Sequence, residues 1–348
     1  MSISILSDFW LILIFVFSSI IIWMAGKKIS FTTDAICSHF KLGEALAGMI
    51  FLSIVTNLPE IAITSMAAYN GHLEIAASNI LGGIAIQTVV LAMIDAFGVG
   101  KTAPLTYKAS SIELIIEGII LIFILTLVLM GKYISRDLIF FHITPIELLI
   151  FAIWIFGIYL ISKKIKLPTL VHENSNIEKE ENEFFTKKVS KENSIYSTIL
   201  IFSVCALLTL LAGWMLEISG EVLAERFGMS GAIFGATILA AATSLPELST
   251  GIASAKIKDY RMAMSDIIGG NAFLPVLFIL ASVISGKAIL PDLLISDMYL
   301  TGLGILLTSI YMIGLILRLK VQHFRMGLDS IAVLIVYVMG IIGLLFLK

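Results

Sequence analysis

The sequence predicts an all-α integral membrane protein with ten transmembrane helices, arranged as two inverted five-helix repeats. Three observations lead to this fold class: the composition, the lengths of the apolar runs and an internal repeat. Of the 348 residues, 59% are hydrophobic and only 14% are charged, and the mean hydropathy is +1.03. This composition is far more apolar than that of a water-soluble domain, so the chain is expected to lie in a bilayer.

Ten apolar runs are long enough to cross a bilayer, which requires about 20 mostly apolar residues. The first run has neither the basic start nor the small-residue cleavage site of a signal peptide, so it is expected to be a retained helix. The ten runs lie near 8–26, 44–68, 74–97, 111–131, 143–162, 196–216, 231–255, 262–285, 296–317 and 328–347.

One long polar interval, residues 163–195, separates the runs into two groups of five. It mixes both charge signs and contains few apolar residues, so it is expected to be a hydrophilic linker. The chain then consists of a first repeat, 1–162, and a second repeat, 196–348. A simple tether is favoured for the linker over a regulatory loop.

The two groups of helices repeat each other without any gap when the sequence is shifted by 187 residues. The shift places "TNLPE" at 56–60 on "TSLPE" at 243–247, and "SNILGGIA" at 78–85 on "SDIIGGNA" at 265–272. Chance similarity between apolar helices would match Leu, Ile and Val, whereas here Gly, Pro, Glu, Ser and Thr match. Gene duplication is therefore the better explanation of the repeat.

A repeat with five crossings ends on the side opposite its start, so the second copy enters the membrane in the reverse sense. Inverted repeats are typical of secondary transporters, whose site lies near the midplane. With both termini outside and the linker in the cytoplasm, 18 of the 23 lysines and arginines lie on the cytoplasmic side. The positive-inside rule favours this orientation. The expected location is a prokaryotic cytoplasmic membrane.

Two acids lie where lipid is expected, Glu60 and Glu247, each directly after a proline. A charge at mid-bilayer costs about 2.5–3.5 kcal/mol on insertion scales, so both carboxylates should face a protein interior or a cavity. The prolines should free the carbonyl groups of Val55 and Ala242, which can then ligate a cation.

Together with the hydroxyl groups of Thr56, Thr243 and Ser244, these oxygens form a set that suits a hard cation such as Ca²⁺. Anionic substrates are disfavoured. Two carboxylates in one small site repel each other when the site is empty, so only loaded forms should cross easily between inward-facing and outward-facing states. This behaviour is antiport.

The two Thr-x-Leu-Pro-Glu motifs, each followed by Gly-Gly 22 to 23 residues after the glutamate, resemble the α-repeats of the Ca²⁺/cation antiporter superfamily. The resemblance covers roughly 40–92 and 227–279 and the five-plus-five plan of the chain. It implies a sodium/calcium exchanger-like membrane protein with ion-binding roles for Thr56, Glu60, Thr243, Ser244 and Glu247. The transported ion would be Ca²⁺, with Na⁺ or H⁺ as the coupling ion and no other cofactor; an antiporter for another divalent cation or for monovalent cations is the alternative.

The sequence departs from the pattern of this superfamily in both motifs. Asn57 replaces a serine in the first motif, and Gly83 and Gly270 replace serines in the second. Gln87 and Leu274 stand where Asn or Asp is usual, and Gln87 is more similar to the residue of proton-coupled calcium exchangers.

Asp266 stands where the superfamily usually has Asn, and Asn79 is its counterpart in the first repeat. Asp266 could be a relocated coupling carboxylate, but a supporting position or the mouth of the cavity is favoured. The candidate ligands are Glu60, Glu247, Thr56, Thr243, Ser244, Asn57, Gln87, Asp266 and Asn79.

The remaining signals are weaker and mainly exclude other functions. The net charge of -2 gives no case for nucleic-acid binding, and no obligate protein partner is evident. An intramembrane enzyme is disfavoured because the five histidines fall in loops or at helix ends, and a non-transporting scaffold would leave two membrane-embedded glutamates unexplained.

Several further acids fall near the ends of the predicted helices. Glu217, Glu221 and Glu225 form an acidic stripe that could attract cations to an external vestibule or could be a solvated helix end. Interface exposure is expected for the other acids of this kind, which are Asp95, Glu113, Glu117, Glu147 and Asp297.

Overall fold

The computed structural model describes residues 5–39, 53–162, 195–256 and 258–347. These residues form a helical protein with one two-stranded hairpin, β1 (Gln322–His323) and β2 (Met326–Gly327). Among them, seven helices are long and apolar enough to cross a membrane, or eight if one bent pair is counted as a span. The all-α class is therefore confirmed.

The first half begins with a helix that is longer than the apolar run predicts. α1 (Asp8–His39) has 32 residues, which corresponds to a length of about 48 Å. It continues through the exposed Lys27 and Lys28, where the sequence predicted an end at residue 26. Since the hydrocarbon core is about 30 Å thick, part of α1 extends beyond it.

The rest of the first half consists of α2 to α7. The short α2 (Ser53–Thr56) and α3 (Leu58–Asn70) are parts of one broken helix. They are followed by α4 (Leu73–Gly98), the short α5 (Leu105–Ala109), α6 (Ile112–Gly131) and α7 (Pro145–Ser162).

In the second half, α8 (Ile195–Arg226) is again 32 residues long. A broken helix follows, made of α9 (Gly231–Phe234), a π-helical turn at Gly235–Leu239, α10 (Ala240–Thr243) and α11 (Leu245–Lys256). Next come α12 (Tyr260–Phe273), a 3-10 turn at Leu274–Val276 and α13 (Leu277–Ser285). The last long helices are α14 (Ile295–Leu317) and α15 (Leu328–Leu345).

The helices of the two halves correspond at the offset that the sequence repeat predicts. α1 and α8 start and end 187 residues apart, and α4 has the same offset from the segment that runs from α12 to α13. A reciprocal pair of contacts accompanies this correspondence. A Cβ on Gly26 would lie 2.5 Å from Pro246 Cβ, and one on Gly213 would lie 3.2 Å from the Pro59 carbonyl oxygen.

The centre of the molecule is built on α4, which is buried along most of its length and contacts the broken helix of the second half. A Cβ added to Gly82 would lie 2.2 Å from the Ala236 Cα atom, so these two backbones touch directly. α1 and α8 pack against each other at the periphery and expose many large apolar side chains, as lipid-facing helices do.

Two of the ten predicted spans are not established by the described residues. The run 44–68 begins in the segment 40–52, which lies outside them, and the apolar helix at Pro145–Ile161 is shorter than the other candidates. The linker at 163–195 also lies outside the described residues, apart from residue 195, where α8 begins.

Candidate functional site

The site forms where the two broken helices meet. The breaks occur at Asn57 and Ser244, which have nearly the same backbone conformation, with φ −84° and ψ 15° for Asn57 and φ −80° and ψ 3° for Ser244. In the second half the helix bends by 42° at this point. Because Pro59 and Pro246 have no N–H group, they cannot continue the helical hydrogen bonds across the breaks.

Glu60 and Glu247 lie in the first turns of α3 and α11 and are 0% and 1% exposed. At a helix N-terminus the partial positive charge of the backbone favours an ionised carboxylate. Glu60 Oε1 accepts a hydrogen bond of 3.2 Å from Gln87 Nε2. The Thr243 hydroxyl, which belongs to the other half of the chain, lies near the Glu60 carboxylate.

Several carboxylate oxygens of this pair have no partner. Both oxygens of Glu247 and Oε2 of Glu60 are buried without a hydrogen bond to another described residue. The charges of Glu60 and Asp266 also lie close enough to repel Glu247. Buried carboxylates without compensation are costly, and a cation between them would supply the missing partner.

Asp266 lies inside the site and not at its mouth. It is 5% exposed, and its two oxygens accept hydrogen bonds from the hydroxyls of Thr250 at 3.1 Å and Thr56 at 3.5 Å. Since Thr56 belongs to the first half and Asp266 to the second, this bond also joins the two halves. The site therefore contains three acids.

Two of the three predicted hydroxyl ligands, Thr243 and Ser244, bond to their own helix backbone. Thr243 Oγ1 donates to the Ala240 carbonyl oxygen at 3.1 Å, and Ser244 Oγ donates to the same oxygen at 2.8 Å. Donation of the hydrogen leaves the hydroxyl oxygens with lone pairs, so both side chains can still ligate a cation.

Of the three predicted amide ligands, Asn57 and Gln87 lie in the site, whereas Asn79 has no hydrogen bond to it among the described residues. Gln87 Nε2 donates to Asn57 Oδ1 at 3.4 Å in addition to Glu60, so both amides belong to the site. Gly270, where the superfamily has serine, allows the close approach of Asn57, because a Cβ there would lie 2.8 Å from Asn57 Nδ2. Asn79 is buried with both amide atoms unpartnered, and no hydrogen bond joins it to the glutamates within the described ranges.

Two polar residues near the site were missed by the sequence reasoning. Thr250 lies one turn after Glu247 on α11, and this spacing could have indicated it. Asn271 is part of the repeated "SDIIGGNA" motif, and its Nδ2 lies 3.5 Å from both the Ile84 carbonyl oxygen and Thr88 Oγ1. Leu274 lies beside Gly83, since a Cβ added to Gly83 would be 3.4 Å from Leu274 Cδ1. Its side chain has no oxygen that could ligate a cation.

The prediction of interface exposure was wrong for most of the helix-end acids. Asp95, Glu117, Glu147 and Asp297 are all buried, and only Glu113 is exposed. The buried acids find donors across helices, which sequence spacing does not show. Ser265 Oγ, for example, lies 3.0 Å from a Glu117 oxygen, and Asp95 accepts bonds from the Leu105 and Gly327 backbone N–H groups.

A family profile described as "Sodium/calcium exchanger protein" matches residues 10–163 and 196–346, which is most of the chain. Two similar proteins are the inner membrane protein YrbG of Escherichia coli (strain K12), with 23% identity over 73% of this chain and 74% of that protein, and CaxA of Alkalimonas amylolytica. CaxA, whose name describes it as a candidate antiporter, has 26% identity over 73% of this chain and 74% of its own.

The fold also matches solved structures of the sodium-calcium exchanger NCX_Mj. One of them, obtained with 10 mM Na⁺ and zero Ca²⁺, has a TM-score of 0.61 at 16% identity and covers 97% of this chain and 99% of that chain. Another, obtained with zero Na⁺ and Ca²⁺, has a TM-score of 0.58 at 17% identity and covers 95% and 98%.

Proposed function

Because the chain belongs to the sodium/calcium exchanger protein family, we propose that this cation antiporter exchanges Ca²⁺ against Na⁺ or H⁺ at the site of Glu60 and Glu247. The observation that carries the proposal is the pair of buried glutamates, one from each half, because three of their four carboxylate oxygens have no hydrogen-bond partner among the described residues. The family is one of transporters, and the chain is a multi-pass membrane protein and not an enzyme.

The donor set supports a hard cation as the substrate. Carboxylate, hydroxyl and amide oxygens surround the two glutamates, and Ca²⁺ takes six to eight such oxygens. We assign Glu60 and Glu247 as the central ligands, with Thr56, Thr243 and Ser244 contributing hydroxyl oxygens. Asn57 and Gln87 position Glu60, and Asp266 adds negative charge beside Glu247.

The same arrangement explains why the exchange would be obligatory. An empty site leaves three acids facing one another in a medium of low polarity, which opposes closure around them. A divalent cation, or several monovalent cations or protons, would neutralise them and permit the change between inward-facing and outward-facing states. Transport of one ion is then coupled to the return of the other.

We further propose that 1–162 and 196–348 are inverted repeats of five spans each, related by a twofold axis in the membrane plane. The common offset of the helices and the reciprocal contacts of Gly26 with Pro246 and Gly213 with Pro59 support this symmetry. The contacts between helices also support it, because the first helix of each half packs on the motif helix of the other half: α8 contacts α3, and α1 contacts α11.

The proposed orientation has both termini outside and the linker 163–195 in the cytoplasm. Basic residues from distant parts of the chain meet at one end of the bundle, where Lys108 Nζ lies 3.4 Å from Tyr260 Oη and Arg318 lies over the Tyr107 ring. This clustering supports the assignment of that end to the cytoplasm. We place the protein in a prokaryotic cytoplasmic membrane.

Transport by the purified protein in sealed vesicles tests the proposed function. We expect uptake of radioactive Ca²⁺ driven by an outward Na⁺ gradient or an outward H⁺ gradient, and the gradient that drives it identifies the coupling ion. Glu247→Gln should abolish uptake, because the amide cannot replace the second negative charge. Glu113→Gln makes the same change at an exposed position of α6 and should transport normally.

No uptake under either gradient would contradict the proposal. Normal uptake by Glu247→Gln would contradict the role of the site. A non-transporting scaffold predicts no uptake by either the wild type or the variant.

A further inference from the structure

A second group of side chains that could ligate a metal ion lies at one end of the bundle, far from Glu60 and Glu247. His72 follows α3 and precedes α4, and its ring contacts two carboxylates of α8. His72 Nδ1 lies 3.2 Å from Glu217 Oε1, and His72 Nε2 lies 2.6 Å from Glu221 Oε1. One ligand atom from each of these three residues falls within 4.8 Å of the others.

Glu217 is buried, whereas one interpretation of the sequence placed it in a solvated acidic stripe at a helix end. The Glu217 side chain is 0% exposed, and Asn70 Nδ2 lies 3.4 Å from each of its oxygens. A buried carboxylate held in this way fixes the orientation of the imidazole ring. In metal sites, a histidine ligand typically donates its second ring N–H to such a carboxylate, which directs the other nitrogen at the metal.

An acidic cavity of about 500 Å³ adjoins the cluster. Five carboxylates line it, of which Asp292 pairs with Arg136 at 2.8 Å, and no lysine or arginine is among its lining residues. One of the five, Asp297, is 1% exposed, and its Oδ1 atom has no hydrogen-bond partner among the described residues. An unpartnered, buried carboxylate oxygen in an acidic cavity is an independent indication that the cavity takes a cation.

We propose that His72 and Glu221, with Glu217 orienting the imidazole ring, form a second cation site that takes a divalent transition metal such as Zn²⁺. His72 Nε2 and a Glu221 oxygen would be ligands, and water or the neighbouring Glu225 would complete the coordination. A mixed nitrogen and oxygen donor set suits Zn²⁺ and similar ions better than Ca²⁺, which prefers oxygen ligands.

The geometry requires only a small adjustment to accept the metal. Zn–N and Zn–O distances of about 2.0–2.2 Å place the two ligand atoms of a tetrahedral site roughly 3.3 Å apart. His72 Nε2 and Glu221 Oε1 are now 2.6 Å apart, as in a hydrogen bond. The Glu221 side chain is 24% exposed and can move by the difference of less than about 1 Å.

This site is separate from the proposed transport site. Glu60 lies in the first turn of α3 and His72 lies beyond the end of this helix at Asn70, and the helix from Glu60 to Asn70 alone corresponds to about 15 Å. Because His72 belongs to the first half and Glu217 and Glu221 to α8 of the second, a bound metal would tie the halves together at this end. Binding should therefore slow any motion that separates α3 from α8.

Calorimetric titration of the purified full-length protein with ZnCl₂ tests the proposal. The Glu60→Gln/Glu247→Gln double variant removes the proposed transport site, and we expect it to keep one Zn²⁺ site per chain. Adding His72→Gln or Glu221→Gln to this background should weaken Zn²⁺ binding at least tenfold. Both side chains are partly exposed, so these variants should fold. Glu113→Gln is the matched control and should bind Zn²⁺ normally.

Co²⁺ gives a second readout that only ligation by the imidazole ring would change. We expect the visible absorption bands of bound Co²⁺ in the double variant and their loss on adding His72→Gln. Absence of a stoichiometric Zn²⁺ site in the double variant, or equal binding after His72→Gln, would overturn the proposal. Ca²⁺ transport by the wild type is measured separately, so failure of the proposed function is distinguishable.

Discussion

Single residues decide how the charges of the central site are balanced. Each half supplies one glutamate, and the second half also supplies Asp266. The hydrogen-bond donors to these acids come from both halves of the chain: Gln87 donates to Glu60 within the first half, whereas Thr56 of the first half donates to Asp266 of the second. Glu247 alone receives no hydrogen bond from another described residue. A cation in the site should therefore depend most strongly on Glu247.

Gln87→Leu should weaken apparent Ca²⁺ affinity by about 10-fold or more, because a hydrogen bond to a charged group contributes about 1.5–3 kcal/mol and about 1.4 kcal/mol corresponds to tenfold. The leucine keeps a similar volume but removes the amide that holds Glu60. The concentration dependence of Ca²⁺ uptake in vesicles measures the effect. Gln322→Leu, in strand β1 at the end of the bundle, is the control and should leave the affinity unchanged.

Asp266→Asn should reduce Ca²⁺ affinity by roughly tenfold without abolishing uptake, which corresponds to about 1.4 kcal/mol. The amide oxygen can still accept a hydrogen bond from one of the two hydroxyls of Thr250 and Thr56, and the NH₂ group can donate to the other hydroxyl oxygen, but the negative charge beside Glu247 is lost. Uptake kinetics at several Ca²⁺ concentrations would show the change. Unaltered kinetics would mean that the charge of Asp266 does not act on the transported ion, whereas complete loss would make Asp266 a ligand.

Helices bring these residues together through unusually close backbone contacts. α4 can approach the π-helical turn at Gly235–Leu239 because glycine faces the partner on both sides: Gly82 meets Ala236, and Gly235 meets Ser78. A Cβ at Gly235 would lie 2.2 Å from Ser78 Oγ. The position of the second-half motif relative to α4 therefore depends on these two glycines.

Gly82→Ala should destabilise the protein by about 1–3 kcal/mol or more, because the new methyl group overlaps the Ala236 backbone, which cannot rotate away. The thermal unfolding temperature in detergent should fall by several degrees. Gly302→Ala, within α14, is the matched control, since no atom lies within 4 Å of its added Cβ. If both variants unfolded at the same temperature, the close approach of α4 would not be needed for stability.

At the scale of the whole molecule, the two ends of the bundle differ in the sign of the charged residues that cluster there. One end gathers Lys108, Arg318 and Lys320 around aromatic rings, and the other contains the acidic cavity beside His72. The proposed orientation places the acidic end outside, where cations would enter from the exterior.

Labelling of single cysteines tests this orientation in intact cells. In a background with Cys37→Ser and Cys205→Ser, Lys287→Cys should react with a membrane-impermeant thiol reagent, while Lys101→Cys should react only after permeabilisation. Both lysines are exposed, so a difference in reactivity reports the side of the membrane. The opposite pattern would reverse the orientation, and equal labelling would contradict the proposed number of spans between them.

Much of this protein was determined by local properties of its sequence. Lipid requires about 20 apolar residues per span, so the helices are visible as runs: the run 74–97 became Leu73–Gly98, and 111–131 became Ile112–Gly131. The repeat and the two Pro-Glu motifs are equally local, and both glutamates could be singled out because charge is rare in a membrane.

The tertiary structure decided which of these residues act on one another. Thr56 and Asp266 are 210 residues apart, and His72 and Glu217 are 145 apart, so their contacts depend on how the helices pack. The same reason explains why Glu117 and Asp297 were expected to be exposed but are buried. Hydrophobic length is set along one helix, whereas the partners of a buried charge are set by neighbouring helices that the linear pattern does not identify.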